Sequence, residues 1–443
     1  MAFTPSYRRI WGVSYPLILA GMGESVVEAT DTLLLAHYGV VELGAIGLAG
    51  SIYNVAMFLP LGLVDGIQIM VSRRVGEGQA FHVGRAFNQG LYLLAATSLV
   101  MFVLIKALVS PLSGFLLASP EVHAAVDDYL QIAAYALILH AFNLAYSTFY
   151  VGIARTRILI AATLVLTVSN ILLDYLLIFG HGGLPSLGIE GAALASLSAE
   201  AAMFLFLTAD VLRRGYTRSH GLLRFARWDT NLSQRLWLVS LPVSGQALVE
   251  MLRWFLFFVI VERLGEPVLA QANIVYALLV LFMIPVDGLS EAVCSLVSNL
   301  IGQGRTEALD TLLRRTIVLG YALLWPVLLL ALVTPDALLI LFGDDPAMIA
   351  GARGALAAVT LAMLLAVPGE IFFSAVTGTG DTGATLLIQL LVGTCALAWT
   401  YYAAFALELP LGYIWLAEAI GWAACLLAAA GWFRSGRWRR LRI

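Results

Sequence analysis

The chain has 443 residues, of which 61% are hydrophobic and 12% charged, and its formal net charge is −3. Ordinary soluble domains carry about 25% charged residues, so this composition excludes a water-soluble globule. Its apolar runs are each long enough to cross a hydrocarbon layer of about 30 Å, so the bilayer is the solvent for this fold.

At the N-terminus Arg8 and Arg9 precede an apolar stretch that continues past Leu33 without a clear cleavage site. It reads as a retained first span and not as a signal peptide. Long apolar runs broken by Gly, Pro or charge then predict twelve helices, at roughly 10–36, 43–72, 84–109, 124–151, 157–180 and 188–212, and at 232–262, 268–301, 310–334, 347–376, 383–407 and 412–433. These runs are too long and too uniformly apolar for the alternating strands of a barrel, so an all-α integral membrane protein is expected. Cys294, Cys395 and Cys425 all fall inside apolar runs and read as small buried hydrophobes, not as a disulfide or metal framework.

An even number of spans returns both termini to one side, and the arginines choose it. Arg73, Arg74, Arg85, Arg155, Arg157, those from Arg213 to Arg235, Arg305, Arg314, Arg315 and the tail from Arg434 to Arg442 all fall on the N-terminal side. Opposite loops carry Asp127, Asp128, Asp336, Asp344 and Asp345, with Lys106, Arg263 and Arg353 as their bases. The positive-inside rule predicts cytoplasmic termini in a cytoplasmic (inner) membrane. The basic tail FRSGRWRRLRI is read as a topology anchor, and anionic lipid is its alternative partner. Lys106 is the sole lysine, and nucleic acid is not an expected partner.

Sliding the sequence on itself by 226 residues superposes Pro16 on Pro242, Glu24 on Glu250, Gly39 on Gly265, Gly62 on Gly288, Ser72 on Ser298, Gly76 and Gly78 on Gly302 and Gly304, and Gly152 on Gly378. One ungapped shift achieves all of this, so two parallel six-helix repeats are expected: an N-terminal bundle over 1–212, a cytoplasmic linker over 213–235 and a C-terminal bundle over 236–443. Parallel repeats of this kind form transporters, with the substrate path between the halves. The matched glycines read chiefly as packing and turn positions.

Carboxylates within the spans are the chemical signal, because an ionisable group in lipid costs a few kcal/mol or more and marks a wet cavity, a partner or an ion path. Glu24, Glu28, Asp31, Asp65, Asp174, Glu200, Glu250, Asp287, Glu291, Glu370 and Glu418 lie there, against Arg253 and His140 as bases. The interior is therefore expected to prefer cations. Glu24, Glu28 and Asp31 fall at i, i+4 and i+7 on one stripe of the first helix. Asn170 and Asp174 share a face of the fifth, and Ser196 on the sixth offers a hydroxyl. Such oxygens suit a small alkali cation or a proton, and the sequence does not choose between them; polar packing between helices is the competing reading. Asp65 and Glu291 superpose under the 226 shift, with Asp287 one turn before Glu291. Arg253, three residues from Glu250, is placed to pair with it, which would withdraw that carboxylate from a travelling ion.

The chain has no Gly-Lys of a phosphate loop, no HExxH, no Cys-x-x-Cys and no Gly-x-Ser-x-Gly elbow. Enzymatic activity is not expected, nor any cofactor beyond a coupling ion, and energy must come from an ion gradient or a partner.

The stretches SYPLILAGMGESVVEATDTLLLAHYG, GLVDGIQIMVSRRVGEG, SNILLDYLLIFG, LGIEGAALAS, LPVSGQALVE and GTGDT resemble the multidrug and toxic compound extrusion (MATE) transporters across nearly the whole chain. The resemblance implies two six-helix bundles forming a V around a central cavity, and export of organic cations or amphiphiles in exchange for sodium ions or protons. It implies that Asp31, Asn170 and Asp174, with Ser196 at a hydroxyl position, form the N-lobe cation site. Glu250 matches a helix 7 glutamate used in the C-lobe by some branches, and Glu370 stands where those branches carry aspartate. Arg253 and the acids Glu28, Asp65 and Glu291 depart from the family pattern. The expected partners are a small-molecule substrate and membrane lipid, and the expected functional form is a monomer. A flippase for a lipid-linked oligosaccharide or related amphiphile is the alternative; it calls for a basic cavity where this interior is acidic. A membrane-embedded transferase would need a clustered His/Asp or metal motif, which the sequence lacks.

Overall fold

Hydrocarbon offers backbone amides no partner but each other, so each apolar run closes into a helix. The structure, a computed structural model, describes residues 4–117, 119–224 and 227–440. Among these residues twelve helices are long and apolar enough to cross a membrane. They are α1 Tyr7–Tyr38, α2 Val40–Gly76, α3 Ala80–Leu116, α4 Pro120–Gly152, α5 Arg157–Phe179, α6 Gly188–Arg213, α7 Thr230–Glu262, α8 Glu266–Gly302, α9 Leu309–Val333, α10 Pro346–Gly378, α11 Thr382–Tyr401 and α12 Leu416–Ser435. Each expected run corresponds to one helix. The largest extension is in α3, which passes Pro111 where the sequence reading stops at 109. Beyond the proline the Ser113 hydroxyl donates to the Val109 carbonyl at 2.7 Å. Residues 441–443 of the basic tail lie outside the described residues.

Caps and turns follow local chemistry. Asp345 accepts from the Ala347 amide at the start of α10, and Asp381 from the Ala384 amide at the start of α11. Gly78 and Gly304, partners under the 226 shift, both sit at positive φ (+72° and +71°) in the turns after α2 and α8, a conformation that glycine adopts without steric cost.

The chain forms two compact units, one from Leu19 to Ser244 and the other from residues up to Ile18 together with those from Gly245 on. The division thus falls inside α1 and α7, not in the 213–235 segment where the two sequence halves join. Glycine explains the local packing. In one unit a Cβ on Gly62 would lie 2.5 Å from the Ser244 amide nitrogen, and in the other a Cβ on Gly288 would lie 2.8 Å from that of Ile18. Both the glycines and their neighbours are 226 residues apart, so the same close approach occurs once in each unit. Within the first unit α2 packs on α4 and α4 on α6; within the second, α8 packs on α10 and α10 on α12. These are the same pairings under the repeat.

Residues 221–224 and 227–229 are strapped to α3. Buried Asn88 donates to the Gly221 and Arg224 carbonyls, both at 3.0 Å, and accepts from the Leu223 amide at 2.9 Å. Gln89 donates to the Arg227 carbonyl at 3.1 Å and accepts from the Asp229 amide and the Ser233 hydroxyl.

Overpacking a close-packed site costs about 1–3 kcal/mol. Gly62→Leu and Gly288→Leu are each expected to lower the thermal unfolding midpoint of the detergent-purified protein. Gly44→Leu, where a Cβ meets nothing within 4 Å, should leave it in place. Equal midpoints for all three variants would refute the packing role.

Candidate cation site

Close backbone approach within the Leu19–Ser244 unit assembles the first cluster of polar groups. A Cβ on Gly23 of α1 would lie 2.3 Å from the Thr163 methyl of α5, and one on Gly191 of α6 would lie 2.7 Å from the Leu177 carbonyl carbon of α5. Small residues at these two positions let α1 and α6 sit close to α5. Asp31, Asn170, Asp174 and Ser196 are thereby brought together.

Asp31 is 7% exposed, while Asn170 and Asp174 are fully buried. The Asn170 side-chain amide donates to the Ser196 hydroxyl at 3.4 Å. The Asp31 carboxyl lies within hydrogen-bonding reach of Asp174, Asn170 and Ser196. Two carboxylates offer acceptors only, so a bond between them needs a proton held in common. Asp31 Oδ1, Asn170 Oδ1 and both carboxyl oxygens of Asp174 are buried without a hydrogen-bond partner. Buried polar oxygens normally have a partner, and these four are matched by a proton or a small hard cation, for which carboxylate, amide and hydroxyl oxygens are suitable ligands. Among the described residues no group of three or more His, Cys, Asp or Glu is arranged to hold a metal ion.

Glu24 and Glu28 lie on the same stripe of α1 as Asp31 but are exposed. A second set of polar groups joins α4 to α6. Glu200 on α6, 9% exposed, meets the His140 Nδ1 of α4 at 2.8 Å and accepts from the Asn143 amide at 2.7 Å. Sequence reasoning named Glu200 and His140 singly and missed their pairing. The available signal was that Glu200 falls one turn after Ser196 on α6.

In the second unit the acids behave differently. Arg253, 7% exposed, grips Glu250 through Nη2 at 2.6 Å and Nε at 3.1 Å, and holds Glu418 of α12 through Nη1 at 2.6 Å. Gln389 of α11 donates at 2.6 Å to Glu250 Oε2, the oxygen that Arg253 Nε also reaches. The guanidinium also lies 4.3 Å from the centroid of the Trp254 ring. Glu250 is therefore held by fixed donors; of the two roles the sequence left open, the pairing with Arg253 is the one seen. Glu418 and Gln389 were not anticipated in it. Glu370 accepts from the Ser374 hydroxyl of its own helix at 3.2 Å. Asp65 and Glu291 are half-buried on α2 and α8, and Asp287 is exposed; none of these three joins the Asp31 cluster.

The MatE family model matches residues 16–176 and again residues 242–401, two stretches whose starts differ by the 226-residue shift. A probable multidrug resistance protein NorM of Agrobacterium fabrum (strain C58) is 30% identical over 295 residues, which are 65% of this chain and 62% of that protein. The match thus spans less than two thirds of that relative's length. A protein of the same name from Pseudomonas putida (strain KT2440) is 28% identical over all of this chain and 96% of its own. Among solved structures, a crystal structure of MATE in complex with MaD3S superposes with a TM-score of 0.90 at 19% identity, covering 99% of this chain and 98% of that one. A MOP superfamily transporter from Pyrococcus furiosus superposes at 0.89 with 20% identity, over 99% and 96% of the two chains. These superpositions establish the fold.

Removing one partner of a buried ion pair costs about 3–5 kcal/mol, because the other charge is left stranded. Arg253→Met is expected to lower the unfolding midpoint markedly, and adding Glu250→Gln and Glu418→Gln should recover much of the loss. A single Arg253→Met variant as stable as the parent would show that the clamp is not structural.

Proposed function

The chain belongs to the MatE family, and from that premise we propose that it is a secondary antiporter that exports cationic or amphipathic small molecules in exchange for protons or sodium ions. The observation that carries this reading is the buried, unpartnered oxygen cluster of Asp31, Asn170 and Asp174, with Ser196 at its edge. A charge stranded in lipid is costly, so the occupied and empty forms of this cluster differ in free energy. That difference is what an ion needs to bias a transporter between two access states. Binding a cation cancels one of the two negative charges that Asp31 and Asp174 carry when both are ionised, and lets α1 settle against α5 and α6. Loss of the cation exposes the repulsion between the two carboxylates and favours the other state.

The Arg253 clamp confines this role to the Leu19–Ser244 unit. Glu250 has both oxygens committed to Arg253 and Gln389, so an incoming ion would have to displace a tethered guanidinium. The substrate is a small molecule carried in the inner membrane, with the arginine-rich connections and both termini on the cytoplasmic side, and the monomer is the working unit.

The test is export of ethidium from sealed proteoliposomes under imposed proton and sodium gradients. Asp31→Asn and Asp174→Asn are each expected to reduce gradient-driven export by about 5- to 150-fold, the usual span of a coupling free energy. Ser196→Ala should have a smaller effect. Export at the parental rate in both aspartate variants would overturn the assignment.

A further inference from the structure

We propose that the last turn of α12 and the short turn after it form a docking surface for anionic phospholipid headgroups, with Arg434, Arg437 and Arg439 as the groups that receive the phosphates. The inference is independent of the antiport reading: it concerns what this end of the chain is fastened to, not what the chain carries.

Beyond Glu418 the chain has five arginines, from Arg434 to Arg442, and no Asp or Glu. The structure folds the start of this basic run back against α12. The helix stops at Ser435, Gly436 turns the chain at a φ of +67°, and Arg437–Arg440 form a 3₁₀ turn. The Trp438 ring, 4% exposed, stacks on Phe433 of α12 with centroids 5.5 Å apart and planes at 22°. Its Nε1 donates to the Phe433 carbonyl at 2.8 Å, which caps a carbonyl of the last helical turn. A buried indole therefore pins the turn to the end of the span.

The arginines are mounted on this platform. The Arg437 guanidinium lies 5.3 Å from the centroid of the Trp432 ring, and that of Arg439 lies 5.4 Å from the Trp438 centroid. Trp432 belongs to the final turn of a membrane-spanning helix, so the Arg437 charge is held within about one turn, ~5.4 Å, of the end of the span. A guanidinium laid over a ring engages its face and leaves its N–H edge available. Arg434, Arg437 and Arg439 are all exposed. Among the described residues none of their side chains pairs with a carboxylate. The end of α6 shows the other solution, because there the Arg214 Nε reaches both oxygens of Asp210 at 2.8 Å.

The level of these charges selects the partner. Headgroup phosphates lie where the apolar run of a span ends, and tryptophan is at home in that layer. A guanidinium edge matches two phosphate oxygens at once, and clustered arginines beside a span favour lipids that carry net negative charge. Nucleic acid or an acidic protein segment would call for side chains reaching out into water, whereas two of these three are laid back on rings at the helix end.

The test uses the full chain purified in a neutral detergent, where insertion topology no longer plays a part. Phosphatidylglycerol or phosphatidylcholine is added, and the lipid bound per chain is counted by native mass spectrometry. The parent is expected to prefer phosphatidylglycerol. Each basic residue at an anionic surface strengthens binding about fivefold, so Arg434→Gln/Arg437→Gln/Arg439→Gln should weaken the tightest phosphatidylglycerol site by about 100-fold and leave phosphatidylcholine binding unchanged. Removing three exposed arginines elsewhere, in Arg157→Gln/Arg213→Gln/Arg218→Gln, should preserve the preference. A parent without preference, or an equal loss in both triple variants, would overturn the docking surface. Parental binding in the tail variant would do so too, and would leave these arginines as topology markers only. Should the tail variant fail to fold, the three single variants decide: each is expected to lose about fivefold, and parental binding in all three sinks the proposal. Ethidium export takes no part in this readout, so the antiport reading stands or falls separately.

Discussion

A carboxylate in hydrocarbon must find a positive partner or give up its charge, and this chain resolves that constraint in two opposite ways. At Arg253 the partner is built in: a guanidinium tied to Glu250 and Glu418 at 2.6 Å each, stacked near Trp254. At Asp31 and Asp174 no salt bridge is formed among the described residues, and Asp31 Oδ1 and both Asp174 oxygens are buried without a hydrogen-bond partner. A tethered cation makes a joint, whereas two neighbouring carboxylates must share a proton or take an exchangeable cation. On the antiport reading proposed above, the difference between fixed and exchangeable counter-charge separates the structural acids of this protein from the working ones.

The repeat sharpens this contrast. The two halves share glycine contacts, turn conformations and helix pairings, yet their acids are deployed unequally. Glu24 and Glu250 are equivalent under the 226 shift. One is exposed and without an ion pair among the described residues; the other is held by Arg253 and Gln389. Duplicated backbone geometry has been kept, while the ion pairing of the two equivalent acids has diverged.

Much of this was legible in the sequence. The helices followed from apolar length, because lipid leaves the backbone no other solution, and the repeat followed from one ungapped shift. Asn170 and Asp174 could be placed on a shared face because helical periodicity is local. Their meeting with Asp31 and Ser196 depended on resemblance, since no periodicity relates α1 to α5. What stayed hidden was long-range partnership. Glu418 lies 165 residues from Arg253, and Glu200 lies 60 from His140, distances over which no spacing rule operates. The division of the chain inside α1 and α7 was hidden for a similar reason: it arises where glycine lets two backbones touch, and a glycine in a sequence does not say which backbone it will meet.

The strap over residues 221–224 and 227–229 changes what that polar stretch is. Its composition suggests a slack tether between two engines, but Asn88 and Gln89 bind its carbonyls and amides as firmly as one strand of a fabric holds the next. Structurally its bonded residues are part of the Leu19–Ser244 unit, tied to α3. Anyone dividing this polypeptide into separately expressed pieces should therefore cut beyond Ser233, whose hydroxyl still bonds Gln89. A cut in the middle of the stretch would tear out a wall of one half while seeming only to sever a string.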